Sequence, residues 1–431
     1  MDGKELVEKL AKLSQVQSIK DIPQLTHALF PGTHCPLMGA AMAVGGIKDS
    51  LIVVVGTDEC TYYTKSMTIH SEKFGGIGGR CVSVVLDDHD VTFGSAEKVQ
   101  EAFKEIIEEY RPQCVFLVTT CVIEIIGDDF DAISEGLSEL YGIPVLPVHT
   151  EHFKCEDHLP GLERTITVCA EMMKSCDCDN SVNLLGQRMG DFATTELYAM
   201  LQKAGVKIGL QLPCGCSVDD IKNAAAAKVN IVVNDIALPL AQKMQEKFGI
   251  PYVYFNKFVI PEKIYEAYKN LFGYLELELP EELEGLYQNA REEIEKTKCE
   301  LEGITYIYGN TPYAVFEMNC FLSSLGMVPQ VIQTNRYTEA DEPYAKEILQ
   351  YTDPYVCKAA NIAPLQYVYD VLSPYLYLGH EFGNRLRQKG IAIVHSDRAS
   401  GMLGFEVTGY LLQQLVKSVR EAKEYRKELC L

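Results

Sequence analysis

A chain of 431 residues, 47% hydrophobic and 23% charged, has the composition of a globular protein with room for two or three cores. A formal charge of −21 argues against a nucleic-acid or anionic-membrane surface and leaves two readings, plain solubility or docking to a partner with a basic face. No apolar run reaches the roughly 18–20 residues of a membrane span, and the start, Met1-Asp2-Gly3-Lys4-Glu5-Leu6-Val7-Glu8, is not signal-like, so a cytoplasmic protein is expected.

Residues 1–20 are expected to form one polar helix. Phe30-Pro31-Gly32-Thr33-His34-Cys35-Pro36 is turn-rich, and the small residues from Cys35 to Ile47 suit a tightly packed helix beginning near that cysteine. Strand 51–55, Leu-Ile-Val-Val-Val, breaks at Gly56-Thr57-Asp58-Glu59-Cys60. Strand 81–86 leads to an acidic turn, and helix 95–110 carries Val99, Phe103, Ile106 and Ile107 at helical spacing. The apolar run 115–118 reads as a strand buried on both faces. It runs into Thr119-Thr120-Cys121 and, through Ile126-Gly127-Asp128-Asp129, into helix 130–141. Strand 143–148 then ends at His149.

A second unit follows with strand 182–185, helix 192–203, strand 206–212, the break Pro213-Cys214-Gly215-Cys216, helix 218–227, strand 229–233, helix 237–248 and strand 251–255. A helical, acidic stretch over 262–301 leads to the third unit. That unit has strands near 304–308, 327–332, 355–357, 375–378 and 391–394 and closes on helix 405–425. Alternating strands and helices give an α/β protein of three Rossmann-like domains with mainly parallel sheets around a central cleft: a cluster-binding domain 1–178, a middle domain 179–300 and a C-terminal domain 301–431.

Fifteen cysteines are many, and long intracellular chains use cysteine for metals or catalysis more than for disulfides. Sorting them by sheet edge is informative, because ligands of open α/β sheets bind at the carboxyl ends of the strands. Cys60 and Cys121 follow strand ends, and Cys35 sits in a turn ahead of a helix, where the helix dipole favours a thiolate. Cys81 and Cys114 begin their strands at the opposite edge. With Cys155, Cys169, Cys299, Cys320, Cys357 and Cys430 they are expected to be buried filler. Three soft thiolates on one edge suit an iron–sulfur cluster, whereas zinc sites use close C-x₂₋₄-C pairs. Three is one ligand fewer than a cubane needs; the fourth could come from a second chain, which would place the cluster at a subunit interface.

Cys176-Asp177-Cys178 falls in a polar linker and is read as exposed. Cys214 and Cys216 follow a strand and face either a cleft or a tight turn. His149 and His152 flank a strand end and could line the cleft, and His34 could tune Cys35. No phosphate-binding loop is present, and Gly75-Gly76-Ile77-Gly78-Gly79-Arg80 precedes a strand, so it reads as a flexible loop.

Cys35, the Gly-Thr-Asp-Glu-Cys60 turn and Thr-Thr-Cys121 with Ile-Gly-Asp-Asp129 resemble the three cluster cysteines of the nitrogenase component 1 superfamily. That group includes the molybdenum–iron protein subunits, a cofactor-assembly scaffold, protochlorophyllide reductase, methylthio-alkane reductase and the nickel-sirohydrochlorin cyclase. Asp219-Asp220-Ile221 through Lys228-Val229-Asn230-Ile231-Val232 resembles the family's middle domain, and His380-Glu381-Phe382-Gly383-Asn384-Arg385 falls in its third with no role to carry over. The resemblance implies a [4Fe–4S] or P-cluster-like centre on Cys35, Cys60 and Cys121. It also implies a homodimer or a heterodimer with a related subunit, and an ATP-dependent iron–sulfur reductase that docks and delivers low-potential electrons.

Two departures bear on function. Asn234 stands where the family's cofactor-binding cysteine is expected, and Leu403 stands where its histidine ligand is expected. Dinitrogen reduction by this chain alone is therefore disfavoured, although a β-type subunit lacks both ligands too and Glu124 is similar to that branch. The main expectation is an oxidoreductase component that reduces a bulky unsaturated substrate such as a tetrapyrrole. The alternative is a non-catalytic scaffold on which a metallocluster is built or carried.

Overall fold

Three largely apolar runs build the centres of three mainly parallel sheets. The computed structural model describes residues 2–25, 34–69, 77–155, 157–188, 190–256, 258–309, 311, 313–358 and 362–430. In the first domain, strand Ser50–Gly56 is buried along its whole length. It lies between Cys81–Val85 and Cys114–Val118, with Val145–Val148 beyond the latter, all parallel. Such a sheet needs cover on both faces, which is why its strands read as continuous apolar runs. Helices Ala96–Tyr110 and Phe130–Tyr141 cover one face through Val99, Phe103, Phe130 and Leu137. Helices Pro36–Gly45 and Leu159–Val168 cover the other. Each buried Val, Leu or Phe contributes about 1.5–3 kcal/mol.

The middle sheet is ordered Tyr252–Tyr254, Val229–Val232, Val182–Gln187, Ile208–Pro213, again all parallel. In the third, Thr305–Tyr308 is central, flanked by Val328–Gln333 and Tyr355–Cys357 on one side and by Leu376–Leu378 and Ala392–Val394 on the other. In each sheet the chain leaves the first strand, builds one side, then returns to build the other. This reversal creates a crevice at the carboxyl ends of the two strands that flank it.

The amino terminus departs from the expected polar helix. Only Gly3–Glu8 is helical. Ala11–Lys12 then pairs antiparallel with Tyr355–Cys357 at the edge of the third sheet, and Leu13, Val16 and Ile22 enter the third domain's core. The reason is local competition. Asp21 accepts from the Gln17 and Ser18 amides, and Asp353 accepts from the Ser14 amide and hydroxyl, which diverts the backbone from a continuous helix. The acidic 262–301 stretch likewise divides into Pro261–Leu275 and Leu283–Leu301, broken by a left-handed Glu276 and by Pro280.

The domains are joined by shared structure. Ile47–Lys48 pairs with Cys216–Ser217 across the first and middle domains, and one apolar core runs through both. Middle and third domains are bolted by two glutamates at facing helix starts. Glu196, which opens helix Glu196–Lys203, accepts from the Phe405 amide (3.1 Å), the Glu406 amide (3.3 Å) and the Tyr268 hydroxyl (2.9 Å). Glu406, which opens helix Glu406–Glu428, accepts from the Glu196 and Leu403 amides, each at 3.1 Å. Each carboxylate thus serves the orphan N–H groups of the other helix. Gly404, at φ +122°, has no room for a Cβ, which would meet Glu196 Oε1 at 2.4 Å. No described helix is long and apolar enough to cross a membrane.

Candidate functional site

Cys60 and Cys121 occupy the two loops that flank the crevice of the first sheet. Cys60 lies in the first turn of helix Asp58–Ile69, just past strand Ser50–Gly56. Cys121 is the first residue of helix Cys121–Ile126, two residues past strand Cys114–Val118. The strand ends lie so close that a Cβ on Gly56 would stand 2.0 Å from Thr120 Oγ1. Cys35 is the N-cap of helix Pro36–Gly45. That helix crosses Leu159–Val168 at two glycines: a Cβ on Gly39 would meet the His158 carbonyl at 1.9 Å, and one on Gly161 the Pro36 carbonyl at 1.8 Å. All three thiols are partly exposed, whereas Cys81 and Cys114 are buried. Each of the three therefore sits where orphan helix N–H groups favour negative charge.

Cys60 is affected by its surroundings. Burial raises the Cys60 thiol above its ordinary value, a hydrogen bond with Thr57 opposes this, and the neighbouring Cys121 and Cys35 sulfurs push it further up. Among the described residues, no three His, Cys, Asp or Glu side chains converge as a single metal ion requires. With metal–sulfur bonds of about 2.3 Å, the ligands of one tetrahedral ion stand about 4 Å apart. Three soft thiols at helix starts are a donor set whose chemistry suits an iron–sulfur cluster.

A polar chain adjoins Cys121. The His152 amide donates to Cys121 Sγ at 3.4 Å. Thr119 Oγ donates to Glu124 Oε1 at 2.5 Å, Glu124 pairs with His149 Nδ1 at 2.8 Å, and Asp131 stands 3.5 Å from His149 Nε2. Burial works against a charged His149 ring, but Glu124 and then Asp131 outweigh it, so the imidazole titrates above its ordinary value. Arg164 donates to the His149 carbonyl and to the buried Glu151, each at 2.7 Å, and fixes this loop.

The same loop reaches the place where the three domains meet. Arg188, just past strand Val182–Gln187 of the middle sheet, donates to His158 Nε2 at 3.2 Å. Arg336 of the third domain approaches Asp157 at 3.5 Å. Burial, then the Arg188 charge, depresses the His158 imidazole to about 4, so the ring is neutral. The His34 ring, beside Cys35, lies 6.5 Å from His158. Cys214, partly exposed, follows strand Ile208–Pro213 and its Sγ donates to the Arg188 carbonyl at 3.3 Å. Cys216 instead stands in the shared core, its thiol pushed up to about 12 by burial.

Residues 35–420 match the model of the nitrogenase component 1 type oxidoreductase family. The chain belongs to that family. It is similar to the nitrogenase iron-molybdenum cofactor biosynthesis protein NifE of Clostridium pasteurianum, 31% identical over 51% of this chain and 49% of that protein. It is also similar to NifE of Rippkaea orientalis, 24% identical over 73% of this chain and 69% of that protein. A third relative is the nitrogenase molybdenum-iron protein alpha chain of Methanosarcina barkeri, 24% identical over 73% and 62%. The chain thus spans about half the length of the Clostridium relative it matches. Among solved structures, nitrogenase Cp1 at pH 6.5 superposes with a TM-score of 0.78, covering 94% of this chain and 95% of that one at 15% identity. The chain has the nitrogenase component 1 fold.

Within that family frame, the two departures are committed to structure. Asn234 follows strand Val229–Val232 and its side chain accepts from the Ile236 amide at 3.2 Å, capping the next turn. Leu403 is 1% exposed and packs with Phe405 in the middle domain's core. Of the cysteines expected as filler, Cys81, Cys114, Cys169, Cys320 and Cys357 are buried, but Cys155 is partly exposed and Cys299 and Cys430 are exposed. Cys176 and Cys178 are exposed as the linker reading expected. Of the glycine-rich loop 75–80, residues 75 and 76 lie outside the described residues, and Ile77–Arg80 forms a short 3₁₀ turn. Arg188, Asp157, His158 and Arg336 escaped sequence reasoning. The available signal was Arg188 directly after a strand, at the crevice of the middle sheet.

Proposed function

We propose that the chain is a scaffold that holds an iron–sulfur-based metallocluster on Cys35, Cys60 and Cys121 and yields it to an acceptor protein. The observation that carries this reading is three partly exposed thiols at helix starts, two of them flanking one sheet crevice and all three within electrostatic reach of Cys60. The relatives named as cofactor biosynthesis proteins support a scaffold over a catalyst. When bound, an iron–sulfur cluster supplies one-electron chemistry. The chain's own part is to present three thiolates at helix N-termini, donate the His152 N–H to Cys121, and keep His149 oriented between two carboxylates. A second chain, identical or related, contributes the fourth ligand.

The second reading is an oxidoreductase component that accepts low-potential electrons from an ATP-dependent iron–sulfur reductase and reduces an unsaturated substrate. The alpha-chain relative and the His149 chain, a proton-holding group beside Cys121, favour it. Turnover separates the two: a catalyst oxidises the reductase only when substrate is added, whereas a scaffold transfers iron and sulfide to an acceptor without turnover. The cluster itself is tested by anaerobic purification, iron and sulfide analysis and electron paramagnetic resonance. Iron, sulfide and a cluster signal are expected, with the signal lost in Cys121→Ala. A chain without iron, or a signal unchanged in that variant, overturns the proposal.

A further inference from the structure

We infer that Cys176-Asp177-Cys178 is a sulfur-relay site, a dithiol that takes sulfane sulfur from a low-molecular-weight persulfide and releases it as sulfide. The inference rests on the scaffold reading for the use of that sulfide, and it gives an activity to residues that the cluster site leaves idle.

Exposure singles the pair out. Cysteine is among the most buried residue types, and of the thiols in this chain Cys176, Cys178, Cys299 and Cys430 alone are exposed. Only Cys176 and Cys178 stand two residues apart. Core packing does not account for two thiols that bury little area. Their setting is an irregular segment, 173–179, that is nonetheless held at both ends. The Lys174 amide donates to the Lys222 carbonyl at 3.0 Å, and the Asp179 amide donates to the Ala226 carbonyl at 2.9 Å. Just upstream, Met172 and Met173 are buried in the core shared by the first and middle domains. Between the anchors, Ser175, Cys176, Asp177 and Cys178 all face solvent. Cys176 Sγ donates to the Lys174 carbonyl at 3.1 Å, which leaves its lone pairs free to attack.

The spacing suits reversible closure. Cα atoms two residues apart stand at most about 7 Å from one another, and a disulfide spans about 4.4–6.8 Å between Cα atoms. A bend in the segment therefore closes the ring, and no helix or sheet hydrogen bond is broken. A metal ion is the poorer occupant, since among the described residues no three His, Cys, Asp or Glu side chains converge as an ion requires.

The relay has two steps. One cysteine attacks the outer sulfur of a persulfide, R–S–SH; the S–S bond breaks, R–SH leaves, and the cysteine now carries the persulfide. The second cysteine attacks the inner sulfur, hydrogen sulfide leaves, and a Cys176–Cys178 disulfide remains. In total R–S–SH and two thiols give R–SH, one disulfide and H₂S. The sulfane sulfur gains the two electrons that the thiols lose. A solitary exposed thiol such as Cys299 or Cys430 completes only the first step. Each chain thus releases one sulfide, and a further round requires a dithiol reductant. Sulfide is a component of the cluster proposed on Cys35, Cys60 and Cys121. The relay itself lies elsewhere: segment 173–179 enters the amino end of strand Val182–Gln187, whereas Cys60 and Cys121 follow the carboxyl ends of their strands.

The test mixes the full, reduced chain, in excess and without added thiol, with glutathione persulfide under argon. Sulfide is measured, and the thiols are mapped by mass spectrometry. Wild-type chain should release sulfide well above the reagent's own background and gain a disulfide between Cys176 and Cys178. Cys176→Ser and Cys178→Ser should each hold one added sulfur atom on the remaining thiol and release sulfide only at background. Cys299→Ser and Cys430→Ser should behave as wild type. Wild-type release at background, release that survives in either the Cys176 or the Cys178 variant, or release without the Cys176–Cys178 disulfide overturns the site. Failure of the scaffold reading is a different result, a cluster signal unchanged in Cys121→Ala, which the sulfide assay does not read.

Discussion

Replacing Glu196 by alanine removes the acceptor of three donors at once, the Tyr268 hydroxyl and the Phe405 and Glu406 amides. Tyr268 is fully buried, so its hydroxyl has no access to water in exchange. Hydrogen bonds to charged groups contribute about 1.5–3 kcal/mol, and a buried donor left unpaired costs about 1–3 kcal/mol, so the loss should be on the order of 3–5 kcal/mol. Glu196→Gln keeps a carbonyl oxygen for Tyr268 and Phe405 and sheds a buried charge, so its loss should be about 1 kcal/mol. Urea unfolding with the slope held as a control measures both. An alanine variant within about 0.5 kcal/mol of wild type would refute the reasoning. The pH dependence supplies a second check. Burial first, and Glu406 as well, raise the Glu196 carboxyl above 4.5 against the opposing hydrogen bonds. A raised acid means that the folded state holds the proton more tightly. Stability contributed by the carboxyl is therefore full below the ordinary carboxyl range and falls as pH rises through the raised value. The gap between wild type and Glu196→Gln should move in that direction over mildly acidic pH, and a flat gap contradicts it.

Gly161→Ala drives a Cβ into the Pro36 carbonyl and should cost about 1–3 kcal/mol and loosen the Cys35 helix, read as faster iron loss. Gly136→Ala, in a helix with open space around it, should instead stabilise by about 0.5–1 kcal/mol in the same denaturation assay. His149 should titrate above free imidazole by nuclear magnetic resonance, and Glu124→Gln should lower it. The stability that ring contributes is present below about pH 6.5 and is lost as pH rises through its raised value. Asp128→Ala deprives the buried Ser95 of its acceptor for both amide (2.7 Å) and hydroxyl (2.6 Å) and should cost about 1–3 kcal/mol, measured as a fall in the thermal midpoint.

What the chain reveals before folding follows a physical rule. The strands around Val53 and Phe116 are legible because a sheet covered on both faces demands unbroken apolar runs. The cysteines beyond them are legible because strand ends are where ligands meet α/β sheets. Helix 130–141 is legible down to its ends, since Asp129 caps it and Gly142 closes it in the left-handed region. The amino-terminal arm is not, because Leu6, Leu10 and Leu13 have the look of a helix face while their partners lie in the third domain. The Glu196–Glu406 exchange and the Arg188–His158–Arg336 junction are silent in sequence for the same reason. Each joins residues far apart along the chain, and nothing local marks either partner.

The arm that pairs Ala11–Lys12 with Tyr355–Cys357 also sets an order of events during synthesis. The ribosome delivers residues 2–25 first, yet the sheet edge that receives them emerges only after most of the chain has been made. Strands Ser50–Gly56 and Cys114–Val118 can assemble the crevice around Cys60 and Cys121 well before that moment. The amino-terminal arm gains its fixed place only when the last domain captures it, so the third sheet is completed last by the residues made before it.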